Sequence, residues 1–226
     1  MKRYIPLLAL LALMGLAWYF RPDLSFEDLK EQRHELLAFG RKHPIASPMI
    51  FMAVYILSTA FSIPAGSFLS VAAGFLFGQP LAMLLVLFGA TLGASIIFLA
   101  AKTALGKTLK ENAGPKINKM REGFSQDAAN YMLFLRLAPI FPFWLVNLAP
   151  AFFGVGFFTF FWTTFLGIIP GVFVFTQAGV GLGAIFDQNQ NFSLEAIFNF
   201  QVKVALIALG FFAILPVIVK RWRQKK

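Results

Sequence analysis

The chain has 226 residues and no cysteine; 58% of it is hydrophobic, 16% aromatic and only 13% charged, with a mean hydropathy of +0.73. Soluble domains are about 45–50% apolar and roughly 25% charged, so the totals exclude an ordinary cytosolic globule, a disordered tail and a disulfide scaffold. Twenty Lys and Arg against ten Asp and Glu leave a net charge of +10. In a soluble protein that excess would point to nucleic acid, but a membrane protein sorts its bases to one side, so their positions decide.

In chain order, Ile5–Phe20 is an apolar run behind Lys2 and Arg3. It has the look of a secretory signal, but no small-x-small cleavage site follows and it ends in Trp18, Tyr19 and Phe20, an interfacial aromatic anchor. We read residues 1–21 as a retained first transmembrane helix. Pro22–His43 alternates acids and bases and opens with the capping box Ser25-Phe26-Glu27-Asp28. Phe26, Leu29, Leu36 and Leu37 fall near one face, so residues 22–44 are expected to form an amphipathic interfacial helix; a solvated helical linker is the other reading.

The core segment, 45–185, holds the remaining organisation. Ile45–Ile63 and Gly66–Phe77 are apolar and interrupted at Pro64, which gives a broken segment over 45–80. Leu81–Ala101 carries no charge over twenty-one residues and is the cleanest span. Lys102–Asn130 holds six bases and three acids, broken by Gly106, Gly114-Pro115 and Gly123, and reads as a basic cytoplasmic loop. The segment 131–156 has Arg136 as its one charge and contains Pro139, Pro142 and Pro150. A further span covers 157–178, with Pro170-Gly171 inside it. Residues 186–226 supply a base-free outer loop, a last transmembrane helix over Val204–Val219 and the basic tail from Lys220.

Charge placement favours one topology. If the 45–80 and 131–156 segments dip in and return as re-entrant hairpins from opposite faces, both termini and the 102–130 loop fall on the cytoplasmic side with most of the bases. Ile45–Ile63 is long enough to span, which is the competing arrangement. A shift of 78 residues supports the hairpins: it aligns Pro64 with Pro142, Ala73 with Ala151, Phe75 with Phe153, Gly78 with Gly156, Gly89 with Gly167 and Gly93 with Gly171. The expected fold is therefore an all-α polytopic membrane protein. It is an inverted repeat of two opposed re-entrant helical hairpins, each followed by a transmembrane helix, with flanking N- and C-terminal transmembrane helices. Paired interrupted segments of this kind point to a transport site near the bilayer midplane.

Ile63-Pro64-Ala65-Gly66, Ala73-Gly74-Phe75-Leu76-Phe77-Gly78 and Gly89-x-x-x-Gly93 resemble the first half of the DedA superfamily, in its SNARE-associated Golgi protein branch with the VTT domain. Arg136-Leu137-Ala138-Pro139-Ile140-Phe141-Pro142, Val146-Asn147, Gly154 and Leu166-Gly167-Ile168-Ile169-Pro170-Gly171 resemble its second half more closely. The resemblance implies a polytopic protein with two opposed re-entrant hairpins that moves lipids between leaflets: phospholipid scrambling in eukaryotic relatives, and recycling of a polyprenyl-phosphate carrier in bacterial ones. Trp144 stands where the family often has Asn, and Lys102 where it usually has Arg. No Asp or Glu lies between Glu35 and Glu111, so the first hairpin lacks the acid found in the carrier-lipid branch.

Candidate site residues follow. Arg136 is a charge inside an apolar block, where insertion costs about 2.5–3.5 kcal/mol; it either engages a lipid phosphate bidentately or bonds free carbonyls and snorkels. Asn147 is expected to bond exposed backbone or a headgroup, and Lys102 to snorkel at the cytoplasmic end of its span or bind a headgroup. Pro64, Gly66, Pro139, Pro142, Pro170 and Gly171 are hairpin or kink residues. Gly74, Gly78, Gly89, Gly93 and Gly167 are helix-packing residues, and Gly171 shares their spacing. His34 and His43 are the only histidines and have no metal-ligand spacing; no nucleophile motif, phosphate loop or paired carboxylate lies in an apolar block. We therefore expect no enzyme, metal or cofactor, and no nucleic-acid partner. The expected partners are membrane lipids through their phosphate headgroups, with a homo-oligomer left open, and the expected location is the inner (plasma) membrane with both termini cytoplasmic. Lipid translocation ranks first, a small-solute or organic-anion transporter second, and a membrane scaffold or assembly factor third.

Overall fold

The computed structural model describes residues 32–112, 127–137 and 143–187. Within them the chain is all-helical, with eight helices and no strand. The N-terminal block, most of the 22–44 segment, Pro139, Pro142 and the last apolar block lie outside the described residues.

Helix α1 (Arg33–Lys42) is followed by α2 (Ala46–Ala60), and the two are bent by 116° across His43–Ile45. Leu36 on α1 packs against Ala72 and Phe75. Beyond α2 the chain turns through Phe61–Ala65, with Ser62 in the left-handed region at φ 53° and Ile63 N–H bonded back to Ser58 O at 2.9 Å. Pro64 sits exposed in this turn, where its missing N–H leaves no donor unsatisfied. Then come α3 (Gly66–Phe77) and α4 (Gln79–Asn112). The second half comprises α5 (Ala128–Leu137), α6 (Phe143–Phe152), α7 (Phe157–Gly167) and α8 (Ile169–Asp187).

Lengths sort these helices. The Gln79–Thr103 stretch of α4 is a predominantly apolar run of 25 residues, about 37 Å at 1.5 Å per residue, enough to cross a hydrocarbon core. Helices α2, α3, α5 and α6 have 15, 12, 10 and 10 residues, each short of the roughly 20 that a crossing needs. Helices α7 and α8 meet at a 40° bend and together pass the same length and composition test. The 157–178 span bends at Ile168, beside the Pro170-Gly171 pair named as kink residues: α7 ends there and Pro170 enters the first turn of α8, a position that tolerates a missing N–H. One expectation changes. The basic loop expected to begin at Lys102 begins later, because α4 continues to Asn112: Lys, Leu and Glu are good helix formers, and one glycine at 106 does not outweigh them.

Among the described residues helix α4 is the hub and packs on α2, α6, α3, α8 and α7. Its first half joins Tyr55, Ala73 and Val172 in one apolar core (Ala82, Val86, Leu87, Ala90), and its second half joins Met132, Ala151, Val155 and Phe160 in another (Ala94, Phe98, Ala101). The outward stripe Leu81, Leu84, Phe88, Leu92, Ile96 and Leu99 is exposed and apolar, as a lipid-facing side requires. The two arms of the first broken segment touch each other little. Helix α2 packs on α4 and α3 packs on α8.

Small residues set those contacts. A Cβ on Gly74 would run into the Thr176 carbonyl, and one on Gly179 into the Val71 carbonyl, so the backbones of α3 and α8 touch. A Cβ on Gly93 would lie 2.6 Å from Ile56 O, and one on Gly89 3.1 Å from Tyr55 Cβ and 3.2 Å from its ring, which brings α2 close to α4. Gly78 differs from its expected packing role: it ends α3 at φ 72°, and a Cβ there would meet nothing within 4 Å. Its job is the left-handed turn between α3 and α4. In the second half that turn is made by Gly154, at φ 80°. Gly171 likewise has open space where a packing glycine would have a neighbour.

Candidate functional site

Arg136 lies one residue before the end of α5, and the facing helices supply its partners. Its Nη1 donates to Asn147 Oδ1 on α6 at 2.8 Å, and its Nη2 donates to Thr164 Oγ1 on α7 at 2.8 Å. The guanidinium carbon stands 5.3 Å from the centre of the Phe160 ring, within cation–π range. Gly167 makes room for the side chain: a Cβ there would lie 2.6 Å from Arg136 Cβ. The cation is thus held by two neutral oxygens and a ring, and no carboxylate among the described residues pairs with it. Two buried donors are left over, Arg136 Nε and Asn147 Nδ2, and neither has a partner. Asn147 is fully buried. A buried unmet donor normally costs about 1–3 kcal/mol, so the two mark a place where polar groups are kept at a cost to stability.

Lys102 stands at the end of the α4 span and is half-buried. Its Nζ donates to Val155 O at 3.0 Å, just beyond α6, and sits 5.4 Å from the Phe98 ring centre. Phe98 in turn stacks on Phe160, with centroids 4.2 Å apart and planes at 20°. A line of contacts therefore runs Lys102, Phe98, Phe160, Arg136, with a half-buried cation at either end of a buried stacked ring pair. The structure joins Arg136 and Asn147 directly, and Lys102 to them only through these rings.

The first broken segment holds a smaller polar cluster. Tyr55 Oη and Ser70 Oγ are 3.0 Å apart, Ser70 Oγ donates to Gly66 O at 2.7 Å, and Tyr55 Oη lies 3.3 Å from the same carbonyl. Every member is neutral and each has a partner. Among the described residues, no three His, Cys, Asp or Glu side chains come close enough together to hold a metal ion.

Residues 63–181 match the family model of the VTT domain, and this interval contains the second arm of the first broken segment, the whole of the second and the Arg136 cluster. The chain belongs to the VTT-domain family. This places it in the DedA/SNARE-associated Golgi protein superfamily. It is 34% identical over 201 residues to the Transmembrane protein 41 homolog of Dictyostelium discoideum, covering 87% of this chain and 58% of that one. It is 33% identical over 180 residues to mouse Transmembrane protein 41B, covering 78% and 60%. The Caenorhabditis elegans Transmembrane protein 41 homolog is 31% identical over 200 residues, covering 87% and 79%. The chain thus spans about three fifths of the length of the slime-mould and mouse relatives. No solved structure matches it.

In this VTT-domain chain several site neighbours escaped the sequence reading. Thr164 and Phe160 hold Arg136, and Phe98 and Val155 hold Lys102; nothing in linear order marks them, because each reaches the site from another helix. Tyr55 and Ser70, eleven and four residues from Gly66, were missed for the same reason. Gly179 had a readable signal, since Gly179-x-x-x-Gly183 has the close-approach spacing. Pro170 and Gly66 sit at the starts of α8 and α3.

Proposed function

We propose that this chain moves phosphate-bearing lipids between the two leaflets of a membrane, with Arg136 receiving the headgroup. The observation that carries the reading is the Arg136–Asn147–Thr164 cluster: a cation without a carboxylate, flanked by two buried donors without acceptors, at the broken end of a short apolar helix. A charge kept inside an apolar block despite its insertion cost is a functional feature by default. Membership of the VTT-domain family supports a membrane protein, and the printed names of the relatives call them transmembrane proteins.

The reading includes two opposed re-entrant segments in an inverted repeat. The packing supports it: α3 lies on α8, from the other half, and α6 lies on α4, again from the other half. Short helices that cannot cross alone thin the apolar barrier, and a polar headgroup enters between them while its acyl chains stay among the exposed apolar faces. The chain works as a conduit and makes or breaks no bond. Its location is the plasma (inner) membrane, with the termini cytoplasmic; a cysteine introduced at Asn112 in this cysteine-free chain labels only from that side.

The test is reconstitution of the purified chain into liposomes with a fluorescent phospholipid whose outer-leaflet copies are quenched chemically. Wild type should raise the quenched fraction above one half within minutes, and Arg136→Ala should fall to the protein-free rate while its thermal unfolding stays cooperative. An unchanged rate in folded Arg136→Ala removes Arg136 from the mechanism. A solute that stabilises the protein, with no lipid movement, points instead to a small-solute transporter.

A further inference from the structure

Away from Arg136, helix α1 leaves α2 at a bend of 116°, and a cleft of about 500 Å³ opens beside that bend, a volume in the range of small-ligand sites. Its lining includes Arg41 of α1, Ile50, Phe51 and Val54 of α2, Phe77 of α3 and Leu81 of α4. The rings of Phe51 and Phe77 meet edge to face at 5.3 Å and pack on the apolar core, while Ile50, Val54 and Leu81 are exposed. The cleft thus has an aromatic inner wall and an aliphatic outer one. Charge is sorted along α1, with Glu35 in its first turn and Arg41 and Lys42 in its last. Arg41 is the charged member of the lining and is exposed.

We propose that this cleft binds one phospholipid, with an acyl chain against Ile50, Val54 and Leu81 and the phosphate on Arg41. Apolar walls give water no polar partners and stay dry, so acyl chain is what fills them in a membrane. A helix with bases and an apolar face lies at headgroup depth, which brings Arg41 to the level of lipid phosphates. The match is of charge and polarity together: a cation beside an apolar trough complements a phosphate joined to an acyl chain, and guanidinium takes phosphate oxygens bidentately. The α4 stripe of Leu84, Phe88, Leu92 and Ile96 is apolar surface without a charge, so lipid there exchanges as bulk lipid. The cleft is separate from the Arg136 cluster, and the proposal stands whether or not lipids cross the membrane at Arg136.

The experiment places a photoreactive benzoylphenylalanine at Val54 of the full chain and, as the control, at Leu92 on the α4 stripe. Both positions are exposed, so the larger side chain has room. In maltoside detergent titrated with dioleoyl phosphatidylglycerol, illumination should give a lipid adduct at position 54 that saturates while position 92 is still unlabelled. Arg41→Gln should cut that adduct about five-fold, as loss of one base near anionic lipid does. Lys42→Gln makes the same change of charge outside the lining and should cut it less than two-fold. Equal lipid adducts at the two positions, or detergent adducts at both, show an ordinary lipid-facing surface and overturn the proposal. Equal losses in Arg41→Gln and Lys42→Gln overturn Arg41 as the phosphate ligand. Adducts joining position 54 to residues 5–20 or to a second copy of the chain give the cleft to a protein segment and overturn the lipid as its occupant.

Discussion

The two broken segments share a proline, a glycine and apolar residues at a shift of 78, yet only the second holds a charge. The first holds a neutral polar set, Tyr55, Ser70 and the Gly66 carbonyl, in which each oxygen has a partner. The second stays open: Arg136 meets Asn147 and Thr164, and two buried donors remain unmet. Under the shift, Arg136 corresponds to Ser58, Asn147 to Leu69 and Thr164 to Val86, so the charged cluster has no counterpart in the first half. The first half also leaves buried oxygens without a partner, at Ser62, Gln79 and Thr91, so what sets the second half apart is that its unmet groups are donors gathered at a charge. Unmet donors are destabilising, and they persist where something other than stability is gained.

The largest effect expected is on the frame. Gly74 lets α3 meet the backbone of α8, and the clash of a branched side chain there is with a carbonyl that cannot move aside. Overpacking costs about 1–3 kcal/mol and more when backbone must shift. Gly74→Val should therefore give no monodisperse protein on size exclusion in detergent. Recovery of wild-type yield and melting temperature would show that the α3–α8 contact is loose and that the halves are not locked by it.

Next in size is a crossed pair of variants, one in each half. Arg136→Met removes a cation whose burial is costly and leaves Asn147 and Thr164 free to pair or hydrate. Transport should fall at least ten-fold while the melting temperature holds or rises, as expected when stability is traded for function. Tyr55→Phe removes one hydroxyl from a satisfied set, so stability should drop by about 1 kcal/mol while the transport rate per folded protein stays within two-fold. The contrast breaks if Tyr55→Phe alters lipid selectivity, or if Arg136→Met unfolds the protein.

How much of this was legible in the sequence follows from what each signal depends on. The charge-free 81–101 run lies within the 79–103 stretch of α4, because hydropathy over twenty residues is a local property. Arg136 stood out for the same reason: one charge in an apolar block is visible in linear order. Its partners were not. Thr164 is 28 residues away and Phe160 is 24, and only the crossing of α5 with α7 brings them to the guanidinium. The α4 end was misplaced because charge marks where a helix leaves the membrane and says nothing about where it stops being a helix. Gly78 was misjudged because glycine spacing looks the same whether the residue gives room to a neighbour or bends its own backbone.

The smallest effect expected tests the alignment at one pair of positions. Gly93 and Gly171 correspond under the shift, and both lie in helices. Gly93 faces Ile56 O and Thr59 across the α2–α4 contact, whereas a Cβ on Gly171 meets nothing within 4 Å. An added methyl should therefore act with opposite signs. Gly93→Ala forces α2 away and should destabilise by about 1–3 kcal/mol. Gly171→Ala only restricts the unfolded chain and improves helix propensity, so it should stabilise by roughly 0.4–1 kcal/mol, read as a rise of a few degrees in melting temperature. If that rise comes with a lower transport rate, the open space beside Gly171 is used during headgroup passage; if the rate is unchanged, Gly171 is part of the frame, and the asymmetry between the halves is confined to Arg136 and the side chains that touch it.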